Sequence, residues 1–137
     1  LRNYKYLSKL ISLTLKTKIK FFKDDVYENS SRLNLNFGHT FAHAIEMALK
    51  SKTSDIIRHG EAVGIGMLCE IYYVEGKGKN FNFLESLLKK YKLPTNINSF
   101  IKKKNQKSIS RKIYNNIFLD KKRTMQKIKY LRSRTKH

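Results

Sequence analysis

The sequence predicts a mainly α-helical domain built from several helices. Apolar residues recur at helical spacings along five separate segments. The chain has 137 residues, 40% of them hydrophobic, which is enough for one packed core. It has no long apolar span, and its single cysteine, Cys69, cannot form an internal disulfide. Membrane-spanning and disulfide-stapled classes are therefore excluded.

The first two predicted helices flank a polar connection. The first covers residues 4–22 and is amphipathic, and residues 24–32 contain the Asp, Asn and Ser that favour turns. The second is predicted for residues 38–51. The apolar stripe of the first helix comprises Leu7, Leu10, Ile11, Leu15 and Ile19, which an internal core could cover. The buried face of the second comprises Phe41, Ile45, Ala48 and Leu49.

Three further helices are expected in the rest of the chain. The third begins near His59, the fourth covers residues 83–91 and is closed by Pro94, and the fifth is indicated by Ile109, Ile113 and Ile117. The predicted stripe of the third helix is Val63, Met67, Leu68, Ile71 and Val74, with Gly60, Gly64 and Gly66 allowing close approach of a neighbour. Residues 127–131 alternate like a short terminal β-strand. We expect residues 1–137 to form one domain.

Basic residues concentrate near the carboxyl terminus. The whole chain carries a net charge of +20, and residues 99–137 contain fourteen Lys and Arg against one acid, Asp120. Clustered bases favour nucleic acid because they release counterions from phosphates. A solvated lysine-rich surface is the alternative, and we favour it because the bases are spaced around apolar periodic positions. We therefore expect neither nucleic acid nor a membrane as the main partner.

The cysteine content and the amino-terminal residues bear on the subcellular location of the protein. One lone thiol and the lack of an apolar signal-peptide segment fit a cytoplasmic protein. The start at Leu1 rather than Met suggests a fragment. Cys69 has no local cationic activator, so we interpret it as a buried small residue rather than a nucleophile.

Three histidines lie close together in the sequence. His39 and His43 are four residues apart on the second helix, Glu46 follows on the same side, and His59 begins the third helix. A catalytic zinc ion takes three protein ligands, and two imidazoles with a carboxylate would suffice. Interhelical hydrogen bonding is the alternative role, and no HExxH pattern is present.

A candidate anion site precedes these histidines. Arg32 and Asn36 lie seven and three residues before His39, where a compact turn would direct both toward the start of the second helix. A guanidinium and a helix amino terminus both bind phosphate, which suggests a small phosphorylated substrate. Otherwise Arg32 is a surface cation and Asn36 a helix cap.

Several motifs together resemble the carboxy-terminal domain of the 3-dehydroquinate synthase family of sugar-phosphate cyclases. They are RLNLNFGHTFAH at 32–43, HGEAVGIGM at 59–67, Lys18, the acidic run with Asp25 and Glu28, KYKLP at 90–94 and LDKK at 119–122. The resemblance implies an NAD- and zinc-dependent lyase of the shikimate pathway. Such an enzyme cyclises a seven-carbon keto-sugar acid phosphate (DAHP) to 3-dehydroquinate and releases phosphate. Another divalent metal such as cobalt could replace zinc.

The resemblance also implies residue roles. His39 and His59 would bind the metal, and His43 would assist proton transfer at the reacting centre. Substrate-binding roles fall on Lys18, Glu28, Arg32, Asn36, Lys121 and Lys122, with Glu28 orienting the cations. The family's third zinc ligand, a glutamate, and its NAD-binding domain lie upstream of this segment, so the isolated chain should not turn over. A homodimer is a further implication.

Two positions depart from the family pattern. Ala42 and Ser30 stand where the family usually has glycine. A related cyclase that acts on a different sugar phosphate therefore stays open. The basic residues 99–137 leave open a second alternative, an inactive basic domain that binds nucleic acid or another polyanion.

Overall fold

The computed structural model describes residues 3–27, 29–50 and 56–119. Over these ranges the chain forms α-helices and short 3-10 helices and no strand, so the prediction of a mainly α fold is confirmed. The α-helices are α1 (Tyr4–Asp24), α2 (His39–Leu49), α3 (His59–Glu75), α4 (Lys79–Lys90) and α5 (Gln106–Leu119). The 3-10 helices are Ser31–Asn36, Asn98–Phe100 and Lys103–Asn105. The strand predicted at 127–131 lies outside the described residues.

The chain divides into two compact units, Leu1–Asn36 and Phe37–His137. The assignment of residues 1–137 to one domain stays a prediction. Among the residues that the structure describes, no helix is both long and apolar enough to cross a membrane.

Helix α1 dominates the first unit. Asn3 caps it, because its side-chain oxygen accepts a hydrogen bond from the Lys5 backbone N–H at 3.1 Å. None of the helix residues is buried. Leu10 is 52% exposed and Leu15 54%, so the first unit does not itself bury the α1 stripe, and an internal core over this stripe stays a prediction. Periodicity identifies the apolar side of a helix but not what covers it.

Asp25 organises the turn that follows α1. Its side chain is buried and accepts three backbone N–H bonds, from Asn29 at 2.9 Å, Ser30 at 2.7 Å and Arg32 at 3.1 Å. These bonds lower the pKa of Asp25 from its ordinary value of 3.8, because they stabilise the ionised form. The bond from Asn29 has the largest effect. The carboxylate thereby fixes the backbone on which Arg32 sits.

The core of the second unit lies between α2, α3 and α5. Helix α2 packs against both α3 and α5, and α3 packs against α4. The buried cluster comprises Ala42, Ile45, Leu49, Ile57, Ala62 and Ile65. Ile109 and Ile113 of α5 pack against this cluster, while the neighbouring bases Lys107, Arg111 and Lys112 are exposed. In this described part of the basic segment, the bases therefore form a solvated helix face.

The predicted stripe of α3 is only partly correct. Leu68 is buried and the other four stripe residues are half-buried, with Val63 packed against the core cluster, while Ala62 and Ile65, outside the stripe, are 0% and 3% exposed. The reason is that α3 has neighbours on two sides, so its buried residues do not form a single stripe. On α2 the prediction is correct for Ile45, Ala48 and Leu49, whereas Phe41 is half-buried.

Glycines set the spacing between α3 and its neighbours. A Cβ atom on Gly64 would lie 3.2 Å from Leu88 of α4, and one on Gly66 would overlap the Gly38 carbonyl oxygen at the start of α2. Gly38 itself has φ +84°, and its added Cβ would lie 2.8 Å from the Met67 backbone nitrogen. Gly60 has open space around it, so only Gly64 and Gly66 match the predicted close approach.

Gly38→Ala should destabilise the chain. The left-handed backbone conformation alone costs a residue with a Cβ about 1–2 kcal/mol, and the contact with backbone atoms of α3 adds to that cost. Urea unfolding followed by circular dichroism measures the change. Gly60→Ala is the matched control and should unfold at the same or a higher urea concentration, because its Cβ meets no neighbour. Equal midpoints for Gly38→Ala and the parent chain would contradict the steric argument.

The Asp25 turn should depend on pH. Because the folded-state pKa is lowered from 3.8, the carboxylate stabilises the turn above that value, and the stabilisation is lost as the pH falls through the lowered pKa. Amide hydrogen exchange at Asn29 and Ser30 measures this. Asp25→Asn should reduce the protection of these two amides at neutral pH and abolish the dependence of that protection on acid. Asp24→Asn, a substitution at the exposed neighbouring residue, should have neither effect. Identical protection in the parent chain and Asp25→Asn would refute the assignment.

Candidate metal centre

Three histidine rings meet where α2 and α3 begin. His39 is the first residue of α2, His43 follows one turn later, and His59 is the first residue of α3. The centroid of the His39 ring lies 5.8 Å from that of His43 and 5.5 Å from that of His59. The His43 and His59 centroids are 6.2 Å apart. The structure therefore brings together the three histidines that the sequence singles out.

The Nδ1 atoms of two rings have hydrogen-bond partners. His59 Nδ1 lies 3.0 Å from Glu46 Oε1, and His39 Nδ1 lies 3.3 Å from the backbone carbonyl oxygen of Phe37. Carbonyl and carboxylate oxygens accept hydrogen bonds, so both contacts place the ring proton on Nδ1. The lone pair that a metal requires is then on Nε2 of each ring.

The third ring has a different geometry. The ring planes of His43 and His59 are the more nearly parallel, with 26° between them, whereas those of His39 and His59 are tilted by 58°. An oxygen acceptor at Nδ1 is described for His39 and for His59, which makes these two rings the candidate pair of metal ligands.

The donor set fits part of a metal site. Over the described residues, no group of three or more His, Cys, Asp or Glu side chains is arranged to hold a metal ion. Two imidazoles with Nε2 as their acceptor nitrogen have the chemistry that zinc and cobalt prefer, but a zinc site takes at least three protein ligands. The described residues therefore offer two candidate imidazole donors and not a complete zinc site.

In the first unit, two predicted substrate-binding cations share one aromatic ring. The guanidinium carbon of Arg32 lies 3.7 Å from the centroid of the Phe22 ring, and Lys18 Nζ lies 5.9 Å from it. Arg32 also donates to the Val26 carbonyl at 2.9 Å. Cation–π contacts hold both positive groups near Phe22, and two neighbouring cations favour an anion.

The structure describes one of the other four predicted substrate-binding residues. Asn36 is half-buried at the end of the 3-10 helix Ser31–Asn36. Glu28, Lys121 and Lys122 lie outside the described residues, so their roles stay predictions.

The two departures from the family pattern occupy positions that accept their side chains. Ser30 does not adopt a positive φ, so its backbone conformation does not require glycine. Ala42 is fully buried in the α2 core, where its methyl group is accommodated.

Cys69 does not have the environment of a nucleophile. Burial raises the pKa of its thiol from 9.0, and the nearby Glu70 carboxylate raises it further. Cys69 lines an open apolar cavity of about 490 Å³ together with Phe41, Tyr72 and Phe81. The interpretation of this residue as a small packing side chain agrees with its burial.

Sequence reasoning missed two contacts that shape the site. The helical pattern predicts that Glu46 lies on the side of His39 and His43, but its pairing with His59 depends on how α2 and α3 cross. Phe22 is not among the predicted site residues. Its position four residues after Lys18 on the same helix is the signal that could have identified their contact.

Comparison with known proteins adds an independent result. Residues 1–123 match the family described as 3-dehydroquinate synthase C-terminal. A 3-dehydroquinate synthase of Streptococcus pyogenes serotype M6 is 35% identical over 95 residues, which is 66% of this chain and 26% of the relative. That of Lactococcus lactis subsp. cremoris is 37% identical over 98 residues, 69% of this chain and 27% of the relative. That of Chlamydia pneumoniae is 38% identical over 96 residues, 66% of this chain and 24% of the relative.

The matched region is a limited part of each relative. The chain spans about a quarter of the length of these three synthases. No solved structure matches it significantly. The family match nevertheless covers most of the chain and includes all three clustered histidines. The chain belongs to the 3-dehydroquinate synthase C-terminal family.

Proposed function

We propose that this chain supplies the metal-binding and substrate-binding part of a 3-dehydroquinate synthase-type lyase. The reaction is the NAD- and zinc-dependent cyclisation of a seven-carbon keto-sugar acid phosphate to 3-dehydroquinate, with release of phosphate. The observation that carries the proposal is the convergence of His39 and His59, each with an oxygen acceptor at Nδ1. The NAD site and the third metal ligand belong to an upstream domain of the type that the family carries.

His39 and His59 bind the metal through Nε2 in this proposal. Their Nδ1 atoms already face oxygen acceptors, which is the usual arrangement for imidazole ligands in metal sites. When bound, zinc supplies Lewis-acid polarisation of a substrate hydroxyl. The two rings orient that centre at the amino-terminal ends of α2 and α3.

His43 has a separate role, as the group that moves a proton at the substrate. It lies next to both proposed ligands, with ring-centroid distances of 5.8 Å from His39 and 6.2 Å from His59, and it is exposed. Imidazole suits proton transfer because its unperturbed pKa lies near neutral pH.

The cations of the first unit bind the negative groups of the substrate. A carboxylate and a phosphate require positive partners, and Arg32 and Lys18 both contact Phe22. Arg32 offers a planar fork of N–H donors on a backbone that Asp25 holds in place. Asn36 adds a side-chain amide for substrate hydroxyl groups, and Lys121 or Lys122 completes the phosphate contacts.

Metal affinity tests the ligand assignment. In a fusion of this chain to the amino-terminal part of the Streptococcus pyogenes synthase, which supplies the third ligand, His39→Ala and His59→Ala should each weaken zinc binding by more than the roughly 10–100-fold that is typical of losing an outer-shell partner. His43→Ala is the matched control and should keep the parent affinity. Competition with a chromophoric chelator measures the zinc affinity of the parent protein and of the three variants. Equal affinities in the parent chain and both ligand variants would refute the metal assignment.

Turnover tests the reaction. The isolated chain should be inactive, and fusion to the amino-terminal part of the Streptococcus pyogenes synthase should restore phosphate release from the keto-sugar acid phosphate. His43→Ala in that fusion should lower kcat by about 10²–10⁴-fold while zinc affinity is kept. A well-folded fusion that binds zinc but releases phosphate only from another sugar phosphate would assign a related cyclase reaction instead.

A further inference from the structure

We propose that Glu46 is a positioning residue for His59: its carboxylate holds the ring proton on Nδ1 and so presents Nε2 to the metal. The inference rests on the proposed function, in which His59 is a ligand. It gives Glu46, a side chain to which the family resemblance assigns no role, a function distinct from that of a metal ligand. The contact that carries it joins His59 Nδ1 to Glu46 Oε1 at 3.0 Å.

The contact crosses between two helices. Glu46 lies in the second turn of α2, and His59 is the first residue of α3. The side chain of Glu46 is 29% exposed, whereas that of His59 is 57% exposed. The carboxylate is therefore the more shielded partner, and it anchors a ring that otherwise faces water.

The chemistry of the pair determines which nitrogen stays available. An ionised carboxylate only accepts hydrogen bonds, so the 3.0 Å contact requires the His59 proton on Nδ1. A carboxylate behind a histidine ligand also increases the basicity of the opposite nitrogen and fixes the orientation of the ring. Within the described residues, Glu46 forms no ion pair with a lysine or arginine that would compete for this oxygen.

The two proposed ligands are held in different ways. His39 Nδ1 faces the backbone carbonyl of Phe37 at 3.3 Å, which no side-chain substitution removes. His59 depends on the side chain of Glu46. A substitution at Glu46 should therefore change the tautomer of the His59 ring and leave that of the His39 ring unchanged.

The test uses the full chain in the same fusion, which supplies the third metal ligand, with zinc as the probe and one fixed pH. Glu46→Gln removes the charge with little change in shape, and Glu46→Ala removes the acceptor entirely. Glu85→Gln is a closely matched control, because Glu85 also lies on a helix, is 34% exposed at its side chain and forms one ion pair, with Lys89 at 2.8 Å. Chelator competition gives zinc affinity, and long-range nitrogen–proton NMR gives the ring tautomers without metal.

We expect both Glu46 variants to bind zinc about 10–100-fold more weakly than the parent chain. The His59 signals should shift from the form protonated at Nδ1 toward a mixture with the Nε2-protonated form, while the His39 signals stay unchanged. Glu85→Gln should match the parent chain in both measurements. The tautomer is the readout that a merely structural role for Glu46 would not move.

Two results would overturn the inference in distinguishable ways. If His59→Ala loses zinc but both Glu46 variants keep the parent affinity and tautomer, the positioning role is wrong and the ligand assignment stands. If the parent fusion binds no zinc that depends on His59, the proposed function fails, and the role of Glu46 fails with it.

Discussion

The close contact between the backbones of α2 and α3 determines the geometry of the candidate metal centre. A Cβ atom at Gly66 would overlap the carbonyl oxygen of Gly38, and Gly38 adopts a φ of +84°, which favours glycine. That carbonyl also accepts the first hydrogen bond of α2, from the Ala42 N–H at 2.9 Å. Because His39 follows Gly38 and His59 begins α3, the crossing that these glycines permit brings the two rings to 5.5 Å.

Each compact unit assembles a different part of the chemistry. In the first, Asp25 accepts three backbone N–H bonds and fixes the turn that carries Arg32, while Phe22 gathers Arg32 and Lys18. In the second unit, oxygen acceptors lie within hydrogen-bond distance of Nδ1 of His39 and His59. Cations for an anionic substrate and imidazoles for a metal are the two sets of groups that the proposed reaction requires.

The sequence predicts local structure better than contacts between elements. Apolar periodicity predicted all five α-helices, and the spacing of His39 and His43 placed them on one side of α2, because both depend on a single helix. The burial of α3 was only partly predicted because it depends on two neighbours, and periodicity does not show what covers the apolar stripe of α1. The Glu46–His59 pair requires the crossing of α2 and α3, which no spacing in either helix encodes.

Anomalous diffraction at the zinc edge, from crystals of the fusion that supplies the third ligand grown with zinc, tests the assignment of His39 and His59 as metal ligands most directly. One peak is expected at about 2.0–2.1 Å from Nε2 of both His39 and His59, with Glu46 still at His59 Nδ1. A peak at Nδ1 of either ring, a peak on His43 in place of one of them, or no peak near these histidines would contradict it.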